Sequence, residues 1–211
     1  MTRAIRWRII VLQLVAVLVL GCGAFGAAYA SAFTTGQIHD QLAPQQIFFP
    51  KDATSGLPAN LAAYAGQQVL TGDQAHAYAD RFIGRHLAEL GQGHPYSYWS
   101  GQAIADRAAA AAASDAAAKA QLTAQAAKEQ GTADTLFKGE TLRSLLNQAW
   151  TFAVIAQLAF YAALGLALAG LVVLGALLFE VLEAVRGGAR VAALALPVGT
   201  PTATREPAAV N

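Results

Sequence analysis

SLLNQAWTFAVIAQLAFYAALGLALAGLVVLGALLF, residues 144–179, contains no acidic or basic side chain. At 1.5 Å per residue, a helix of that length covers more than about 50 Å, well beyond the ~30 Å hydrocarbon core of a bilayer. A second charge-free run, IIVLQLVAVLVLGCGAFGAAYASAF at residues 9–33, covers roughly 37 Å in the same conformation. Two transmembrane helices are predicted, at 9–33 and 148–181. The composition agrees: 13% of the 211 residues are charged and 55% are hydrophobic, which departs from an ordinary soluble domain.

The flanks set the expected orientation. Arg3, Arg6 and Arg8 precede the first run, and no Lys or Arg follows it until Lys51. Basic residues are retained on the cytoplasmic side, so residues 1–8 are expected there. Lys138 and Arg143 before the second run balance Arg186 and Arg190 after it. An even number of spans returns the chain to its starting side. The expectation is a two-pass plasma-membrane protein with an extracytoplasmic region at 34–147. A cytoplasmic tail follows at 182–211, mostly disordered because Pro, Thr and Ala dominate it after Gly187-Gly188.

Two processing signals compete with this reading. Ala28-Tyr29-Ala30 before Ser31 has the A-x-A form of a signal-peptidase site, but the apolar run exceeds a usual signal core and favours a retained anchor. Leu18-Val19-Leu20-Gly21-Cys22 resembles a bacterial lipobox with Cys22 as the acylated residue. Residues 23–32 stay apolar, unlike the chain after a lipidated cysteine, so Cys22 reads as a small packing residue. As the one cysteine of the sequence it forms no internal disulfide.

Between the spans the signals are helical. The first helix continues past the bilayer surface into 37–42 and stops near Pro44. Pro50, Gly56 and Pro58 mark a turn-rich connection, and residues 57–65 read as a short helix with Pro58 in its first turn and Gly66 past its end. Thr71-Gly72-Asp73-Gln74 fits a capping box opening a helix over 73–90. Its predicted apolar face is Ala75, Ala79, Phe82, Ile83, His86 and Leu90. Residues 96–99 are an aromatic cluster, and the alanine-rich tract 103–127 is expected to be a helical spacer or thin packing arm, breakable at Ser114-Asp115. Residues 131–134 separate it from a last helix that enters the second span. Phe48 and Phe49, just beyond the break at Pro44, are expected to plug the outer domain against Phe82, Ile83, Leu136 and Phe137; the alternative is an anchor at the lipid surface, where tryptophan and tyrosine are commoner.

The spans carry small residues every four positions: Ala159, Ala163 and Ala167; Gly165 and Ala169; Cys22, Gly26 and Ala30. This spacing brings helix backbones close in lipid, either between the two spans of one chain or in self-association. Gln13 and Gln157 are the intramembrane polar residues. They lie at opposite depths and are not expected to pair.

Candidate chemistry is sparse. Asp73, His76 and Asp80 can share one strip of a helix and so could supply a carboxylate–imidazole–carboxylate metal site, but a solvated helix edge with acids helping its N-terminus is the favoured reading. His86 falls on the apolar face and reads as a buried histidine, His94 as a turn residue. His39 lies with these outside the spans. There is no nucleophile elbow and no Gly-rich phosphate loop. A net charge of +1 gives no nucleic-acid footprint. Spans without acid or base argue against a proton pathway. Glu180 and Glu183 are interfacial charges, the latter within reach of Arg186. No catalytic, cofactor-binding or metal-binding residue is assigned.

Residues 47–50 (IFFP), 63–87 (AYAGQQVLTGDQAHAYADRFIGRHL) and 135–146 (TLFKGETLRSLL) resemble recurring blocks of a group of small actinobacterial integral membrane proteins. The resemblance covers most of the outer region apart from the alanine-rich tract. It implies two spans around a helical outer region, and no established activity. Some similar sequences carry ring-opening dioxygenase names, yet no two-His-one-carboxylate set can be assigned here. The expectation is an all-α membrane protein with two transmembrane helices and a helical extracytoplasmic domain between them. Its expected role is that of a non-enzymatic accessory, scaffolding or interaction subunit, in contact with the lipid bilayer and a protein partner or second copy. The alternatives are a ligand-binding sensor acting through a partner and a metal-dependent envelope enzyme.

Overall fold

A computed structural model describes residues 3–194, with side chains for 4–186. The described chain is all-α. Helix α1 spans Arg3–Leu42, α2 Gly72–Ala77, α3 Gly84–Leu90, α4 Tyr96–Ala112 and α5 Ala116–Leu194. A π-helical turn, Tyr78–Ile83, joins α2 to α3. Short 3-10 turns at Ala43–Gln45, Ala53–Ser55 and Ala59–Tyr64 occupy the connection from α1 to α2. Two helical stretches, Ala4–Gln45 and Ala116–Arg186, are long and apolar enough to cross a membrane. Their most apolar windows are 0% and 11% buried, which is not how the core helix of a soluble protein sits.

The chain divides into two compact units: the residues up to Phe25 with those from Ala163 onward, and residues 26–162. In the first unit α1 and α5 lie side by side. A Cβ added at Gly23 would sit 3.3 Å from the Leu166 side chain, and one at Gly170 3.6 Å from Leu20 Cβ. Arg6 Nε lies 3.9 Å from Glu180 Oε2. Of the small residues spaced by four, Ala163 is buried, whereas Cys22, Gly165, Ala167 and Ala169 are exposed. The helix–helix contact thus uses Gly23 and Gly170, one position away from two of the predicted stripes. Gln13 Oε1 is buried without a partner among the described residues. Gln157, in the second unit, donates to the Tyr161 hydroxyl at 3.3 Å.

The tail differs from expectation. α5 passes through Gly187-Gly188 and continues to Leu194. Each interior glycine costs a helix about 1 kcal/mol, which cooperative propagation from a 79-residue helix can absorb. The disorder predicted further on, at 195–211, lies outside the described residues.

The second unit owes its core to the connection after α1. α1 ends at Leu42, and Gln46 adopts a left-handed conformation with φ 51°. Residues 47–50 then run antiparallel to 66–69: Val69 N donates to Ile47 O at 2.8 Å and Phe49 N to Gln67 O at 2.9 Å. Extended backbone sends successive side chains to opposite faces. Phe49 is therefore buried (2% exposed) and Phe48 points outward (52%). Only one phenylalanine forms the plug, which corrects the expectation for the pair. Phe49 stacks on Tyr64 at 5.0 Å and meets Tyr78 edge-on at 5.1 Å. Ile83 and Leu136 belong to the same buried cluster and Phe82 packs on it, but Phe137 stays outside, against Tyr96.

The capping box forms as read: Gln74 N donates to Thr71 Oγ1, and Gln74 Oε1 accepts from Thr71 N. Downstream, Ala75, Ala79, Ile83 and Leu87 form a buried row, with Ala77 also buried beside it, while His86 and Leu90 are exposed. The π turn explains the shift. It adds a residue to one turn of the ladder, so the apolar face advances in steps of four and falls on Leu87 instead of His86. α4 and the first part of α5 form an antiparallel hairpin broken at residues 113–115, where Asp115 Oδ2 caps Ala118 N at 2.7 Å. Residues 131–134, expected to separate two helices, lie inside α5.

Candidate functional site

The capping box starts α2 so that His76 and Asp80 project from consecutive turns toward α5. Asp80 Oδ1 accepts from Arg143 Nε at 3.1 Å and from Asn147 Nδ2 at 3.1 Å. Arg143 Nη2 lies 3.1 Å from the same oxygen. His76 Nδ1 is 3.0 Å from Asn147 Oδ1 and 3.5 Å from Asp80 Oδ2. The imidazole lies flat on Trp150, centroids 4.2 Å apart. Arg143 also reaches Glu140 at 3.4 Å.

Arg143, Asn147 and Trp150 fall at i, i+4 and i+7, one face of α5. The Asn147 amide, with the Arg143 guanidinium and then His76, holds the Asp80 carboxyl below its ordinary range against partial burial. Each member of the cluster is about one-third exposed, so the pairs are screened and individually modest. Their joint effect is to clamp α2 and the π turn onto α5 in one register. Gly72 makes the approach possible, since a Cβ there would collide with Ala153 Cβ and sit 3.2 Å from the Ala149 carbonyl oxygen.

The structure separates the predicted metal triad. His76 and Asp80 join the α5 cluster, whereas Asp73 lines a different groove with Ser31, Thr35, His39 and Gln157. Among the described residues no group of three His, Cys, Asp or Glu side chains is arranged to hold a metal ion. The π turn redirects His86 to the surface, where its Nδ1 sits 2.8 Å from Phe82 O. His94 stacks on Tyr98 at 3.9 Å, and His39 pairs with Asp40 at 3.3 Å. Glu183 pairs with Arg186 as expected, and Glu180 takes Arg6.

Among the grooves on the surface of this unit, one with a volume of about 500 Å³ runs between the end of α1 and α5. Ile38, Leu42, Ile47, Leu145, Leu146 and Phe152 form its apolar walls, and Gln41, Gln45 and Gln148 supply amides, with no ionisable side chain in the lining. A second, of about 480 Å³, lies among Leu87, His94, Tyr96, Leu136, Glu140 and Arg143. The third, of about 390 Å³, is the one that holds Asp73. Neither His76 nor Asp80 lines any of them. The best-organised polar cluster is thus a fastening between helices, which meets a concave surface only through Arg143 at the edge of the second groove. Comparison with protein-family models, curated proteins and solved structures gave no match.

Proposed function

We propose that this chain is a non-enzymatic two-pass membrane protein of the cell envelope, with both termini cytoplasmic, whose outer unit binds a protein partner as an accessory or scaffolding subunit. The supporting observation is the uncharged groove between the end of α1 and α5. About 20 residues suffice to cross a bilayer, so the charge-free stretch of α5 has surplus length. On that stretch Leu145 and Phe152 remain 59% and 47% exposed beside the groove. Contiguous apolar surface with a few amides, rimmed by polar residues, is the composition of a protein-interaction site. The polar cluster of His76, Asp80, Arg143 and Asn147 supports the same reading, because its side chains are spent on each other.

A photo-crosslinking side chain at Leu145, activated in intact membranes, tests the proposal. The expected product is a discrete protein adduct, lost when Phe152→Glu places a charge in the groove. Adducts to lipid alone, or none, would overturn it.

A further inference from the structure

The α4–α5 hairpin is closed by alanines, and each helix interrupts them with one acid. Ala103, Ala110, Ala126 and Ala133 are 0–5% exposed and lie outside the main buried cluster. Asp106 sits between the first two and Glu129 between the second two, each at spacings of three and four. Arg107 Nη2 donates to Gln130 Oε1 across the hairpin at 2.9 Å. Their chain neighbours Asp106 and Glu129 are then offset by only about 3 Å along the hairpin axis, within one turn of each other, on the positions that the alanines show to face inward.

Neither acid is neutralised there. Glu129 is 8% exposed, and its Oε2 is buried with no hydrogen-bond partner among the described residues. Asp106 Oδ2 is likewise buried and unpartnered among them. The other Glu129 oxygen accepts from Gln125 Nε2 at 3.3 Å. Arg107, next in sequence to Asp106, is engaged by Gln130, which donates in turn to Asp134 at 2.8 Å. Lys128 precedes Glu129 on α5, and no ion pair of either acid is found among the described residues.

Burying unpaired carboxylates is costly unless a cation joins them. We propose that Asp106 and Glu129 bind one hard divalent cation, of the calcium or magnesium class, which locks the hairpin. The donor set is all oxygen, from the two carboxylates, and includes no thiolate or imidazole. Charge balance selects a divalent ion: it cancels both carboxylates, whereas one shared proton would leave a net negative charge buried.

The test is a thermal melt of the full-length protein in detergent after chelation, then with calcium chloride or magnesium chloride, at ionic strength matched with sodium chloride. One of the two salts should raise the midpoint by on the order of 5 °C at a hundredfold excess over its Kd. Glu129→Gln and Asp106→Asn should each melt higher than the chelated wild type and lose the response. Hydrogen exchange at 103–133 should slow with the cation in the wild type alone. No divalent response, or a response kept by both variants, would overturn the proposal. So would a midpoint that follows pH and ignores the metal, which is the signature of a shared proton.

Discussion

The imidazole of His76 lies over the indole of Trp150 at 4.2 Å, with the two planes 15° from parallel. The first ring comes from α2, the second from the first two turns of the charge-free run of α5. This stack and the Asp80 hydrogen bonds fasten the same two elements from adjacent turns. An aromatic pair of this geometry contributes about 0.5–1.5 kcal/mol beyond the area that it buries. Trp150→Ala should destabilise the second unit by about 2–3 kcal/mol, and Trp150→Phe by less than half of that. Limited proteolysis of the 43–95 segment under native conditions reads the difference. Equal protection in wild type and Trp150→Ala would show that the stack is incidental.

The Asp80 cluster gives the unit an acid-sensitive component. A carboxyl held below its ordinary value of 3.8 contributes stability that is complete above that value and is lost as pH falls through the lowered native one. Arg143 and Asn147 face it from α5 and His76 from its own helix, with Glu140 beyond Arg143. Asp80→Asn should lower stability at neutral pH by on the order of 1 kcal/mol, a modest figure because a third of the cluster is in water. The wild-type and variant denaturation midpoints should converge as pH falls through that lowered native value. A gap that stays constant over the whole acid titration would assign the loss to packing.

Much of the architecture is legible in the sequence because it rests on local rules. Charge-free runs, the Thr71–Gln74 capping box and the break at Pro44 each depend on neighbours along the chain. The misplaced features depend on geometry that repeats do not encode. One extra residue in the π turn moved His86 from the apolar face to the surface. A single antiparallel pairing with residues 66–69 decided that Phe49, and not Phe48, enters the core. The fastening cluster was half visible: His76 and Asp80 stood out, but their partners lie more than 60 residues away. Arg143 reads in sequence as a flanking charge and Asn147 as the edge of a span. Their spacing with Trp150 on one helix face was the available signal.

The two phenylalanines offer a sharp contrast between adjacent positions. Phe49 fills the space between Tyr64 and Tyr78, so Phe49→Ala should cost about 3–5 kcal/mol. Phe48 is half exposed, and Phe48→Ala should stay within about 0.5 kcal/mol. Thermal or denaturant melts of the two variants check this. Similar losses for both would mean that residues 47–50 do not hold the register given by the Val69 and Phe49 backbone bonds.

At Gly72 the start of α2 packs closely on α5, and this position separates a steric requirement from helix propensity. Gly72→Ala places a methyl against Ala153 Cβ and 3.2 Å from both Ala149 O and Trp150 Cα. Overpacking of this kind costs about 1–3 kcal/mol, more than the modest propensity gain of alanine over glycine. Adding Ala153→Gly removes the methyl on the facing side, so the double variant should recover part of the loss and leave the part due to Ala149. Gly131 provides the opposite case, inside α5 with nothing within 4 Å of the position a Cβ would take. Gly131→Ala should therefore stabilise by about 0.5–1 kcal/mol. A Gly72→Ala variant as stable as wild type would mean that α2 can ride further from α5, and the fastening by Asp80 and His76 would then have to stretch with it.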